Sequence, residues 1–312
     1  MLRRRKIPGR KKVGLALGSG SARGWAHIGV IRALNEAGIK AKFVAGTSIG
    51  AFVGAFYASG RMKNIEDFTS LLTKRQVFTM LDLVFPRSGL LDGDKVSEFF
   101  AEQIGPKMME DLEIPFSTVS TDLDSGEEVV ISRGDILDAV RASLSIPGVF
   151  TPVMLNGRML VDGGLTNPVP VDVVREMGAD FVIAVDVNSS IFSNNAKDEV
   201  AKERSAVTWR KRSETFGAVK LFEDKIRKFA QEKESSLFKG WRKKEKLPGI
   251  LDVISTSMNI IEVQLTRMRL AIDPPDMLIT PDVGDIGFAE FHRAYEAMEA
   301  GYRAAEKALD SM

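Results

Sequence analysis

Gly46-Thr47-Ser48-Ile49-Gly50 has the form Gly-x-Ser-x-Gly. In that form a serine rides a sharp strand-to-helix turn that lifts its hydroxyl clear of the main chain. The flanking glycines, Gly46 and Gly50, let neighbouring backbone pass close by. A serine hydroxyl is a poor nucleophile at neutral pH and needs a base. The chain offers few. It contains no cysteine and only two histidines, His27 and His292. That excludes disulfides, thiolate zinc sites, iron–sulfur clusters, a cysteine nucleophile and a three-histidine metal site. Serine–histidine hydrolases of the α/β type place serine, then acid, then histidine along the chain. Here His27 precedes Ser48, and His292 falls in an amphipathic C-terminal stretch. We therefore expect a structural, hydrogen-bonding His27 and a surface His292.

A carboxylate could serve instead. Asp162-Gly163-Gly164 comes directly off the apolar run ending at Val161. An aspartate held among apolar groups has a raised pKa, and with it enough basicity to take the Ser48 proton. Asp-Gly-Gly is also ordinary turn sequence, so the residues alone leave both readings open. A third segment, Gly18-Ser19-Gly20-Ser21-Ala22-Arg23-Gly24, nearly matches a dinucleotide fingerprint. Its sixth position is Arg23, and residues 40–46 lack the acid that a ribose would need. A run of backbone N–H groups opening a helix suits an oxyanion instead. Asp122-Leu123-Asp124-Ser125-Gly126-Glu127-Glu128 lacks the spacing of a calcium loop and reads as a solvated turn.

The elements that must position these groups follow from periodicity. Val13–Leu17 and Phe43–Gly46 are short apolar runs that predict buried strands, each running into a glycine-rich turn. Ile28, Ile31 and Leu34 predict a helix closed by Gly38, and Ile49–Ser59 a second helix. Strand, helix, strand, helix with short connections means parallel strands, so both glycine-rich turns leave the same end of one sheet. Residues 61–111 read as mostly helical, with turn chemistry around Pro86–Asp94. Further strands are expected at Phe116–Asp122, Glu128–Ser132, Phe181–Val187 and Met277–Thr280, and a helix at Ile136–Leu144. Asn156-Gly157 predicts a hairpin joining Val153–Leu155 to Arg158–Val161. Phe288, Phe291, Tyr295, Met298, Tyr302 and Leu309 predict a core-facing C-terminal helix.

The 312 residues are 44% hydrophobic and 27% charged, with a net charge of +1, so no overall charge points to nucleic acid. The distribution is uneven. Residues 1–12 carry seven basic side chains and no acid, and residues 196–246 hold 16 Lys/Arg against 9 Asp/Glu. Two basic patches on an acidic body suit an anionic surface; solvated tails are the alternative. Val219, Phe222, Ile226 and Phe229 predict an amphipathic helix with a basic face, in a polar segment that also holds Trp209 and Trp241. Val13–Leu17 is too short for a signal-peptide core. Phe43–Gly60 is uncharged but broken by glycine and serine, which argues against a membrane span. The expected organisation is a basic tail at 1–12 and one domain over 13–312, with a basic helical insert at about 192–247. The expected setting is cytoplasmic, with peripheral contact at the inner membrane surface.

Together these residues resemble the patatin-like phospholipase family, in its bacterial branch related to neuropathy target esterase. The likeness rests on Gly18–Gly24, Gly46–Gly50 and Asp162–Gly164 in that order. Arg141-Ala142-Ser143 through Ile146-Pro147-Gly148, Asn167-Pro168-Val169-Pro170 and Asp273-Pro274-Pro275-Asp276 support it. The resemblance implies a three-layer α/β/α, patatin-like (FabD/lysophospholipase-like) fold around a mostly parallel sheet. It implies a Ser48–Asp162 dyad, an oxyanion loop at Gly18–Gly24, and hydrolysis of phospholipid or lysophospholipid esters without metal or other cofactor. Backbone amides of Gly20 to Ala22 are the expected oxyanion donors. Arg23 is expected to brace the loop, with lipid phosphate as an alternative partner. Acyl transfer by the same dyad, or a non-enzymatic lipid- or protein-binding role, are the alternative functions. No nucleic-acid partner is expected, and oligomeric state is left open.

Overall fold

The computed structural model describes residues 11–79, 94–105, 107–192 and 249–312. Most of the 1–12 tail, the Pro86–Asp94 turn chemistry and the basic helix around Val219–Phe229 lie outside these residues.

Strand β1 (Val13–Leu17) is buried along its whole length, as a central strand covered on both faces must be. Its side chains alternate. Leu15 and Leu17 join one apolar cluster with Ile28, Ile31, Phe52 and Phe56, whereas Ala16 joins a smaller one with Ala45, Val171, Val174 and Val182. Those two clusters are the two interfaces of three layers. After β1 a short 3-10 turn, Ser21–Trp25, leads into α1 (Ala26–Glu36). Then come β2 (Phe43–Thr47), α2 (Ile49–Ala58), α3 (Met62–Ser70), α4 (Lys74–Thr79) and α5 (Asp94–Ile104). Strands β3 (Phe116–Asp122) and β4 (Glu128–Ile131) precede α6 (Ile136–Ser143), whose first turn is capped by Asp135 Oδ1 accepting from Leu137 N–H at 2.7 Å.

The hairpin β5 (Val153–Leu155) and β6 (Arg158–Asp162) turns at Asn156 and Gly157, both at positive φ (50° and 77°), as a two-residue turn of this kind requires. The chain continues through α7 (Val171–Glu176), β7 (Phe181–Val185), α8 (Ile250–Ile272), β8 (Met277–Ile279) and α9 (Ala294–Asp310). The eight strands form one sheet in the order β5-β6-β3-β2-β1-β7-β8, with β4 on β3. β3, β2, β1, β7 and β8 are mutually parallel, and β4, β5 and β6 supply the antiparallel pairings. This is the expected three-layer α/β/α fold with a mostly parallel sheet.

Two expectations need correction. The C-terminal helix starts at Ala294, so Phe288 precedes it and Phe291 sits in a separate 3-10 turn. Tyr295 is 75% exposed rather than core-facing, while Met298 and Tyr302 pack against the larger cluster. The 23-residue helix α8 was not foreseen at all. It begins at Gly249, whose N–H donates to Asp252 Oδ2 at 3.2 Å, and ends just before Pro274. None of the described helices is long and apolar enough to cross a membrane.

Candidate active site

Ser48 stands between β2 and α2 with φ 56° and ψ −125°. A non-glycine residue at such angles costs about 1–3 kcal/mol and persists only where its surroundings enforce it. Here they do. The Ser48 N–H donates to Ser143 Oγ at 2.8 Å, and the Ser143 hydroxyl in turn donates to the Val119 carbonyl at 2.6 Å. The neighbouring Thr47 hydroxyl donates to the Asn167 carbonyl at 2.8 Å. The glycines are required by proximity. A Cβ on Gly50 would lie 2.1 Å from the Leu17 carbonyl oxygen, and one on Gly46 would lie 2.4 Å from that of Gly50. A larger residue at Gly50 would push α2 off the end of β1, and one at Gly46 would push it off β2.

The elbow points its hydroxyl at a carboxylate. Ser48 Oγ donates to Asp162 Oδ2 at 2.6 Å, and both residues are buried. The Gly164 N–H donates to Asp162 Oδ1 at 2.8 Å, which fixes the carboxylate plane. The Asp162 N–H donates to the Ser145 carbonyl at 2.9 Å. The segment at the end of α6 therefore holds both partners, Ser48 through Ser143 and Asp162 through Ser145. Burial pushes the Asp162 carboxyl up to about 6, with the hydrogen bonds from Ser48 and Gly164 opposing it. At neutral pH it is ionised yet far more basic than a solvated aspartate.

The loop Gly18–Gly24 lies beside this pair, at the end of β1. Its N–H groups are divided between structure and availability. Gly18 donates to Val185 O at 3.0 Å and Ser19 to Pro168 O at 2.8 Å. Ala22 donates to Phe288 O at 3.2 Å, which corrects the expectation that its amide is an oxyanion donor. Among the described residues, no acceptor takes the N–H of Gly20 or Ser21. Gly18 and Gly24 serve packing: a Cβ on Gly24 would stand 2.1 Å from Ile49 Cγ2, at the start of α2.

Arg23 is only 1% exposed, so the lipid-phosphate alternative is withdrawn. Its Nε donates to Asn188 Oδ1 at 3.0 Å, Nη2 to Asn259 Oδ1 at 2.7 Å and Nη1 to the Ile286 carbonyl at 3.3 Å. It braces the loop against three distant segments. His27 is fully buried and pushed down to about 4, so the ring is neutral. Only an N–H can pair with a carbonyl, so Nε2 carries the proton and donates to Gly18 O at 2.8 Å. His292 is half-buried in the 3-10 turn before α9, and burial lowers its pKa. Asp122 Oδ1 accepts from the Asp124 N–H at 3.0 Å and closes an ordinary Asx turn.

Ser143, Asn188, Asn259 and Glu262 escaped the sequence reading as site residues. Three of them lie more than a hundred positions from Ser48, and two lie on α8. The apolar periodicity of residues 250–272, bounded by Gly249 and Pro274, was the signal available for that helix.

The three-layer α/β/α fold thus sets a serine at a strained βα elbow, hydrogen-bonded to a buried carboxylate. The chain belongs to the patatin-like phospholipase family, whose model matches residues 15–175. An uncharacterized NTE family protein of Mycobacterium tuberculosis is 34% identical, with 96% of this chain and 92% of that protein covered. Human patatin-like phospholipase domain-containing protein 6 is 37% identical over 57% of this chain but only 13% of its own length. The Drosophila melanogaster neuropathy target esterase sws is 36% identical over the same shares. Among solved structures, VipD from Legionella pneumophila matches with a TM-score of 0.50 over 98% of this chain and 67% of its own, at 15% identity. That likeness concerns the fold. Family and relatives together support lipid hydrolase activity in general.

Proposed function

We propose that the protein is a serine carboxylic ester hydrolase of phospholipids or lysophospholipids, working through a Ser48–Asp162 dyad. The observation that carries this reading is the 2.6 Å hydrogen bond from a strained Ser48 to a buried, more basic Asp162. Ser48 Oγ attacks the ester carbonyl while its proton passes to Asp162. The negative charge on the tetrahedral oxygen is held by the free N–H groups of Gly20 and Ser21, helped by the positive end of α2. Loss of one such donor costs about 2.7–4 kcal/mol of barrier lowering. Collapse breaks the ester bond, and the departing alcohol takes the proton from Asp162. Water then attacks the acyl-serine, Asp162 accepts its proton, and the fatty acid leaves as Ser48 is reprotonated.

The basic residues of 1–12 and 196–246 concentrate the enzyme on anionic lipid, at about 1 kcal/mol per Lys or Arg near the surface. Binding to anionic vesicles therefore weakens as salt rises, and salt-independent binding contradicts this part of the proposal.

The test is fatty-acid release from phospholipid and lysophospholipid vesicles by wild type and Ser48→Ala, with and without a competing alcohol. Release by wild type alone supports hydrolysis. Predominant transfer to the alcohol replaces hydrolysis by acyl transfer, and no turnover by folded wild type replaces it by lipid or protein binding.

A further inference from the structure

Glu262 is a buried acid outside the dyad. It comes from the middle of α8, is 7% exposed, and lies over Gly164, the residue whose amide fixes Asp162. A Cβ on Gly164 would stand 2.4 Å from Glu262 Oε1 and 3.1 Å from Asp162 Oδ1, so the two carboxyls share one patch of backbone. The other Glu262 oxygen, Oε2, accepts from Asn188 Nδ2 at 2.8 Å. That same amide donates to the Ser19 carbonyl at 3.1 Å, and Asn188 Oδ1 accepts from Arg23 Nε at 3.0 Å. Asn188 thus spends its whole amide tying α8 to the loop that carries Gly20 and Ser21.

The local charge balance restricts what Glu262 can be. Asp162 and Arg23 face it, and Asp186, which accepts from the Asn188 N–H at 2.8 Å, is itself faced by Arg23 and by the exposed Arg267. Arg23 is the buried cation in this group, against three buried carboxyls: Asp162, Asp186 and Glu262. Adjacent buried acids cannot all ionise beside one cation. Glu262 accepts from Asn188 through Oε2 and also meets the Ser19 hydroxyl; a neutral acid keeps an acceptor oxygen for the first and has an O–H to donate to the second.

We infer that Glu262 is a positioning residue of this site: as the neutral acid over Gly164 it fixes Asn188, and through Asn188 the oxyanion loop, leaving the negative charge of the pair to Asp162. The inference rests on the hydrolase reading above. Burial, with Asp162 next in weight, pushes the Glu262 carboxyl up to about 8, in agreement with the geometry. Above that pH a second negative charge arises beside Asp162 and opposes the oxyanion that the loop must hold.

The experiment compares wild type, Glu262→Ala and Glu262→Gln by fluorophosphonate labelling rate across pH 5–10 and by thermal melting over the same range. The alanine variant labels ten-fold or more slower at pH 7, and glutamine, a neutral acceptor of the same shape, rescues the rate to within about three-fold. The wild-type rate falls about ten-fold above pH 8, and the glutamine variant lacks this alkaline fall. For stability, a folded-state pKa near 8 lies above the unfolded value of 4.5. The stability tied to that proton is full below 4.5 and is lost as pH rises through 8, so wild type loses melting temperature across this window more steeply than Glu262→Gln. A glutamine variant as slow as alanine at pH 7, or one that keeps the alkaline fall, overturns the inference. Parallel melting slopes overturn it too. Absence of labelling in wild type strikes the hydrolase reading instead, so the two failures are distinguishable.

Discussion

At the contact between α1 and α9, a Cβ on Gly29 would lie 1.8 Å from the Met298 carbonyl oxygen, and one on Gly301 would lie 2.0 Å from that of Ala26. At the carboxyl end of the sheet, a Cβ on Gly50 would lie 2.1 Å from the Leu17 carbonyl oxygen. The approach is equally close in both regions, but the surroundings differ. The helix contact belongs to the large apolar cluster with Ile28, Ile31, Ala297 and Leu309, where close approach increases buried apolar contact. The sheet end gathers buried polar groups: Ser48, Asp162, Arg23, Asn188 and Glu262. There the same closeness holds a strained serine and a carboxylate together. One region stores stability, and the other uses some of it to hold groups in reactive geometry.

The sharpest way to separate the two is Ser48→Gly, which removes both the nucleophile and the strained side chain. Turnover falls by 10⁴-fold or more, while the variant melts at or above the wild-type temperature. A large loss of stability in this variant would break the contrast between the regions. Gly29→Ala makes the converse case. Its methyl meets backbone that cannot swing aside, so unfolding free energy drops by about 3 kcal/mol in denaturant titrations. Protein that remains folded keeps its turnover rate.

Acid then distinguishes the regions without a mutation. Asp162 must be ionised to take the Ser48 proton, so kcat/KM falls about ten-fold per unit below about pH 6. Stability moves the other way. The folded-state value near 6 exceeds the unfolded 3.8, so the stability tied to this proton is full below 3.8 and is lost as pH rises through 6. Asp162→Asn removes that dependence in melting curves. The smallest effect is expected at Arg269, which pairs with Glu128 at 2.7 Å and Asp172 at 2.9 Å but is about one-third exposed. Solvent screening limits Arg269→Ala to about 1 kcal/mol or less, read by the same titrations.

Much of the sheet end was legible because its constraints are local. Gly46 and Gly50 are dictated by what passes beside them, and the apolar runs of β1 and β2 carry their own periodicity. The order of the three motifs then fixed which turns meet. What could not be read were relations across the chain. Ser143 holds Ser48 through its main-chain N–H, and nothing at position 143 announces a partner 95 residues away. Ala22 looked as available as Gly20 until the Phe288 carbonyl, 266 residues on, was placed against it. Glu262 resembles any helix acid in sequence, and only packing against Gly164 and Asn188 makes it part of the site. Tyr295 followed an apolar period, but the helix began six residues later than that period suggested, and its ring faces outward.

The central claim, that Asp162 activates Ser48, is tested most directly by intact-mass spectrometry after fluorophosphonate treatment of wild type, Ser48→Ala and Asp162→Asn in the presence of lipid. The account predicts one adduct on wild type, none on Ser48→Ala, and labelling of Asp162→Asn slowed by 10²- to 10⁴-fold. Folded wild type that takes up no adduct, or Asp162→Asn that labels as fast as wild type, would contradict it.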